Sequence, residues 1–142
     1  MSIGLDAART IIAGVREAGA NQGLQPLTVV VLDAGGHVLA VEREDGSSNK
    51  RFEIAFGKAH GALSLGRGSR ALMARAEQQP FFIASVTAAI GGALVPVPGG
   101  VLIRGTDGAV LGAVGVTGDT SDNDEIAAVA GIEQAGLAAQ VD

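Results

Sequence analysis

The sequence predicts an α+β domain built on an antiparallel sheet, and three observations carry that expectation. A segment of helical period opens the chain. Two pairs of β-branched or apolar runs are each joined by turn residues. Helical patterns stand between those pairs and after the second. A length of 142 residues without repeat, linker or low-complexity stretch fits one domain spanning 1–142.

Leu5, Ala8, Ile12 and Val15 recur at helical spacing, with Arg9, Arg16 and Glu17 elsewhere on the wheel, so a first amphipathic helix is expected to end near Gly19 to Gly23. Thr28 to Leu32 reads as a buried strand. Asp33-Ala34-Gly35-Gly36-His37 supplies turn chemistry and Val38 to Arg43 the return strand of a hairpin. Asp45 to Asn49 is a loop rich in helix N-caps. Arg51 to Leu65 follows as the strongest helix, with Phe52, Ala55, Phe56, Ala59 and Leu63 on one stripe and Ile54, Gly61 and Leu65 near the opposite side. Apolar residues on two sides predict a helix covered twice, by the sheet and by a neighbouring chain or helix.

Gly66 to Ser69 breaks that helix, and Ser69 is expected to cap a short one running through Ala76. Pro80 restarts the chain before a helical Phe81 to Ala89. Val95-Pro96-Val97-Pro98 reads as an edge strand, because proline cannot donate to a ladder. Val101 to Arg104 and Val110 to Thr117, joined by the turn Thr106-Asp107-Gly108, form a second hairpin. Gly112 and Gly115 in its last strand predict close approach of another backbone or a ligand. A final helix is expected from the acidic segment Asp119 to Asp124 through about Leu137, with Ile126, Val129, Ala130 and Leu137 facing inward.

Composition removes several function classes. The net charge is −5 and the ten cations are scattered, so the basic stripe that nucleic acid requires is missing. No cysteine is present, which excludes thiolate catalysis, disulfides and cysteine-held zinc or iron–sulfur centres. Asp6 stands early in an N-terminus without a cationic segment and apolar run, and no stretch reaches the length of a membrane span; a cytoplasmic protein without membrane contact is expected. No phosphate-binding glycine motif opens a helix, and none of the serines sits in a nucleophile elbow.

Several ordered motifs resemble the GlcG/HbpS haem-binding-like family: Asp33 to His37, Arg43 to Gly46, Ile54 to Ala59, Pro98 to Arg104, Gly108 to Gly118 and Asp119 to Glu125. The same domain is similar to the C-terminal part of PduO-type proteins. The resemblance covers nearly the whole chain. Leu102, Thr117 to Asp119 and Asn123 depart from the family pattern. It implies a profilin-like α/β/α fold, with a five-stranded antiparallel sheet and helices on both faces, and homo-oligomers. For function it implies haem or another tetrapyrrole as ligand in some members and a link to glycolate or propanediol catabolism in others. The adenosyltransferase domain of PduO-type proteins is absent, so cobalamin adenosylation is not carried over.

Within that expectation only His37, His60 or a methionine could ligate haem iron. His37 in a tight turn reads first as a solvated imidazole. His60, one helical turn after Phe56, reads as a partly buried helix histidine or as the preferred ligand, with Phe56 beside it. Lys58 lies on the side of Ile54 and Leu65, where a covered ammonium needs an acceptor such as Asp33, Asp45 or Asp124. Two roles are open to it: holding a carboxylate or haem propionate, or closing a structural salt bridge. The binding reading therefore rests on His60, Lys58 and Phe56. An alternative, a cofactor-independent enzyme or accessory acting on a small organic acid, would use Lys58 and Arg43 on the carboxylate and Asp124 as acid or base. A third is an oligomeric assembly module. Asp119, Asp122, Asp124 and Glu125 precede a helix, so capping is preferred over a metal site. No catalytic residue is assigned.

Overall fold

The computed structural model describes residues Met1–Asp142. In chain order the elements are α1 (Leu5–Gln22), β1 (Thr28–Asp33), β2 (Val38–Arg43), α2 (Arg51–Leu65), α3 (Ser69–Gln78), α4 (Pro80–Ala89), β3 (Gly100–Arg104), β4 (Val110–Thr117), α5 (Ser121–Gln134) and β5 (Ala138–Gln140). The five strands form one sheet in the order β2-β1-β4-β3-β5, and every neighbouring pair is antiparallel. No helix is long and apolar enough to cross a membrane.

Strand side chains alternate between faces, and here both faces are covered. Val29, Val31, Val101, Ile103, Val114 and Val116 meet α1 and α5 through Ile11, Ile12, Val15, Ala127, Ala128 and Ile132. Val30, Leu32, Leu102 and Ala113 meet α2 through Ala55, Ala59 and Ala62. Burial on both sides explains why β1 reads as an unbroken apolar run rather than an alternating one. Each fully buried Val, Leu or Ile contributes about 1.5–3 kcal/mol relative to exposure.

Glycine sets the layer spacing. A Cβ on Gly115 would stand 1.9 Å from the Ala55 carbonyl oxygen, and one on Gly100 would stand 2.3 Å from that of Lys58. The close approach expected at Gly115 is therefore that of the α2 backbone. On the other face a Cβ on Gly131 would meet the Ile11 carbonyl at 2.6 Å, so α1 and α5 also touch nearly backbone to backbone.

Five sequence expectations need correction. Val95 to Pro98 is not a strand: Pro96 and Pro98 have no N–H to give, and Val95 donates instead to the Gly57 carbonyl at 3.1 Å, strapping the segment across α2. The fifth strand is β5, which pairs with Leu102 to Arg104 of β3. Helix α5 stops at Gln134, and its inward face is Ala127, Ala128, Gly131 and Ile132, while Ile126 is half exposed; where α1 approaches most closely, at Gly131, a side chain has no room. Likewise Ile11 is buried in α1 and Leu5 is exposed. Ser69 does not cap α3. The N-cap is Gly68, and the Ser69 hydroxyl both accepts from Gly100 N–H at 2.7 Å and donates to its carbonyl at 3.2 Å. The Asp45 to Asn49 loop leaves α2 with Lys50 at its N-cap and no side-chain cap.

Candidate functional site

Helix α2 presents four surroundings, and each candidate residue is placed by one of them. Ala55, Ala59 and Ala62 rest on the sheet. Gly57 and Gly61 lie under the strap, where added Cβ atoms would meet Val95 and Leu94 at 2.7 and 2.9 Å. The second cover expected over this helix is thus a segment of its own chain. Lys58 points past the end of β4, and Phe52, Phe56 and His60 form a half-buried ridge beside the β1–β2 turn.

The Lys58 side is closed. Its Nζ donates to the Val116 carbonyl at 2.9 Å and to Asp124 Oδ2 at 3.1 Å, and both side chains of the ion pair are 2% exposed. Asp124 Oδ1 accepts from the Asp119 N–H at 2.9 Å. Burial pushes the Lys58 ammonium below its usual range, against the pull of Asp124; burial pushes the Asp124 carboxyl up, against the pull of Lys58. Gly99, at φ +120°, leaves room for the ammonium, since a Cβ there would sit 2.8 Å from Nζ. Because α2 and α5 lie on opposite faces of the sheet, this pair ties the two layers around its end. Arg70 of α3 reinforces the tie through Asp122 and Glu125 of α5.

Of the acceptors expected for Lys58, then, Asp124 is the one used. Asp33 instead accepts from Gly35 N–H, His37 N–H and the His37 ring, and these hydrogen bonds hold its carboxyl below the usual range. Arg43 is exposed and spent on the Ser47 and Ser48 carbonyls, so it does not join Lys58 and Asp124 in a carboxylate clamp. In the acidic segment the helix cap is Thr120, which accepts from Asn123 N–H, and no three or more acidic or histidine groups converge as a metal site.

The other ridge is different in kind. Phe52 and Phe56 stack with centroids 5.9 Å apart, and Phe56 and His60 at 5.2 Å, the rings inclined by 21° and 22°. The spacing i, i+4, i+8 produces this alignment on one helix face. His60 Nδ1 lies 2.8 Å from the Ala93 carbonyl oxygen, which can only accept, so Nδ1 is the donor and Nε2 takes no part in that hydrogen bond. Gly36 of the hairpin turn borders the ring, with a built Cβ 3.9 Å from His60 Cδ2. His37, by contrast, is 81% exposed and tied to Asp33. Sequence reasoning missed the strap residue Ala93, for which no local signal exists: its role is a backbone carbonyl.

Comparison with known proteins agrees with this architecture. A family model described as haem degrading protein HbpS-like matches residues 3–133. Among solved structures, the Klebsiella pneumoniae protein ORFY is 26% identical, with 94% of this chain and 90% of that one covered at a TM-score of 0.83. A double mutant of Streptomyces reticuli HbpS is 28% identical, with 94% and 86% covered at 0.80. The PduOC:heme complex is 20% identical, with 96% and 97% covered at 0.84, a likeness of fold. No curated protein sequence matches the chain significantly.

Proposed function

Because this chain belongs to the HbpS-like haem degrading protein family, we propose that it is a binding protein for haem or a related tetrapyrrole, taken against the Phe52–Phe56–His60 ridge of α2. The observation that carries this reading is the hydrogen bond from His60 Nδ1 to the Ala93 carbonyl. A ligating imidazole commonly donates its other N–H to a carbonyl or carboxylate, which fixes the ring and raises its basicity, and His60 already donates from Nδ1 to Ala93. Phe56 and Phe52 extend a flat apolar surface from that ring. His60 Nε2 would hold the iron and Phe56 would meet the ring system; haem so bound would supply an iron centre able to take a ligand or an electron. Lys58 acts from behind the ridge as a structural residue rather than as a propionate clamp, being buried and already bonded to the Val116 carbonyl and Asp124.

The reading includes a homo-oligomer in the cytoplasm. Val38 and Val41 of edge strand β2 share the α2 face of the sheet and are 46% and 37% exposed, an apolar margin beside the ridge that a second copy would cover. Light scattering checks this: a strictly monomeric protein would remove it.

Haemin titration of the purified protein tests the binding reading. A saturable Soret shift is expected, lost in His60→Ala and kept in His37→Ala. Absence of a saturable shift, or its persistence in His60→Ala, overturns it. With ascorbate and oxygen the band should persist; its decay would change a carrier into a degrading enzyme.

A further inference from the structure

Away from the His60 ridge, the end of α2, one face of α3 and the start of α4 border an open cleft of about 530 Å³, within the roughly 300–1,000 Å³ of small-molecule sites. Its charge is opposite in sign to that of the protein. Three of the arginines, Arg67, Arg70 and Arg75, line it in a chain of net charge −5, and Asp142 is the one acidic residue among them. Arg70 is neutralised by Asp122 and Glu125. Arg67 and Arg75 enter no ion pair. Arg75 is nonetheless fixed: its Nε donates to Gln79 Oε1 at 2.5 Å and its guanidinium lies 3.9 Å from the Phe82 ring centroid. The rest of the lining is largely apolar, with Leu65, Leu72 and Phe82.

We propose that this cleft is a second binding site, for a small organic anion with a flat apolar body, of the aryl carboxylate class. An ordered guanidinium with free terminal nitrogens matches a carboxylate in a two-pronged fork, which a point charge does not. Stacking on Phe82 holds that fork in place before the ligand arrives, so less rotamer entropy is lost on binding. Arg67, exposed and unpartnered, closes the charge from the other side, and the apolar wall selects against fully hydrated ions such as phosphate. The small organic acid expected for Lys58 and Arg43 thus finds its cationic partners on α3 and the α2–α3 turn. Neither Phe56 nor His60 lines this cleft, so the site stands or falls apart from the tetrapyrrole reading.

Calorimetry and amide NMR with 2-naphthoate, 2-naphthamide and inorganic phosphate test it. Naphthoate should bind saturably and shift the Ala71 and Ala74 amides. The neutral amide should bind at least about tenfold more weakly, and phosphate should not compete. Arg67→Gln and Arg75→Gln should each weaken naphthoate about tenfold, and Arg75→Lys should not restore it, since the fork is lost. Arg67 is exposed and unpaired, so its variant reports on binding without a folding cost. His60→Ala should keep naphthoate affinity while losing the haemin shift. No saturable binding, equal affinity for the amide, or indifference to both arginine variants overturns the proposal.

Discussion

Two sides of one helix make the informative contrast in this molecule. On one, Lys58 is sealed against Val116 and Asp124 with 2% of either side chain exposed. On the other, Phe52, Phe56 and His60 form a ridge only half covered. On this helix the buried charge serves the architecture, while the half-exposed ridge is built of two phenylalanines and an imidazole. Burial separates the two: an ammonium sealed from solvent against a carboxylate and a carbonyl is out of a substrate's reach, whereas an imidazole anchored through one nitrogen on a half-open ridge still presents the other.

The largest expected effect breaks the sealed side. Lys58→Met leaves Asp124 buried without its partner and should lower unfolding free energy by about 3–5 kcal/mol, measured by urea denaturation. Lys58→Met combined with Asp124→Leu should recover much of that loss; if the single variant is as stable as the parent, the pair is not a structural tie. Next, Gly115→Ala forces a methyl group against the Ala55 carbonyl and should cost about 1–3 kcal/mol, typical of overpacking. Thermal melts of this variant measure how firmly α2 is seated.

On the open side the stability effect should be smaller. His60→Ala removes one hydrogen bond, a loss of about 0.5–1.5 kcal/mol, while abolishing the haemin shift; a loss as large as that of Lys58→Met would make His60 structural too. The smallest effect belongs to Asp119, which accepts from Gln25 N–H, the Asn123 side chain and Thr120 N–H, and whose pKa is held below 3.8. A carboxyl lowered on folding adds stability above its unfolded value and loses it as pH falls through the folded one. Asp119→Asn should therefore be less stable than the parent at neutral pH, with the gap closing in acid below pH 3.8. Paired denaturation curves check this; a gap independent of pH would place the effect elsewhere.

Much of this was legible in the residues. The β-branched runs and turn chemistry located β1 to β4, since period and punctuation are local properties. Strand β5 was not legible, because Ala138-Ala139-Gln140 carries helix-favouring residues and becomes a strand only by pairing with β3. The inward face of α5 differs for a related reason: hydrophobicity points to Ile126, but the face turned to α1 is Ala127, Ala128, Gly131 and Ile132, with Gly131 at the closest approach. At the candidate site, periodicity joined Phe56 to His60, and Asp124 stood among the acceptors for Lys58. Ala93 could not be foreseen, because a carbonyl leaves no trace in side-chain chemistry.

The glycines under α2 have a consequence for the imidazole as well as for packing. A helix seated on side chains can roll or slide by small repacking, but here the Ala55 and Lys58 carbonyls sit in notches over Gly115 and Gly100. Rotation would drive strand backbone into helix backbone, so the azimuth of α2 is keyed. The direction in which His60 aims its free nitrogen is thus inherited from two residues that have no side chain at all.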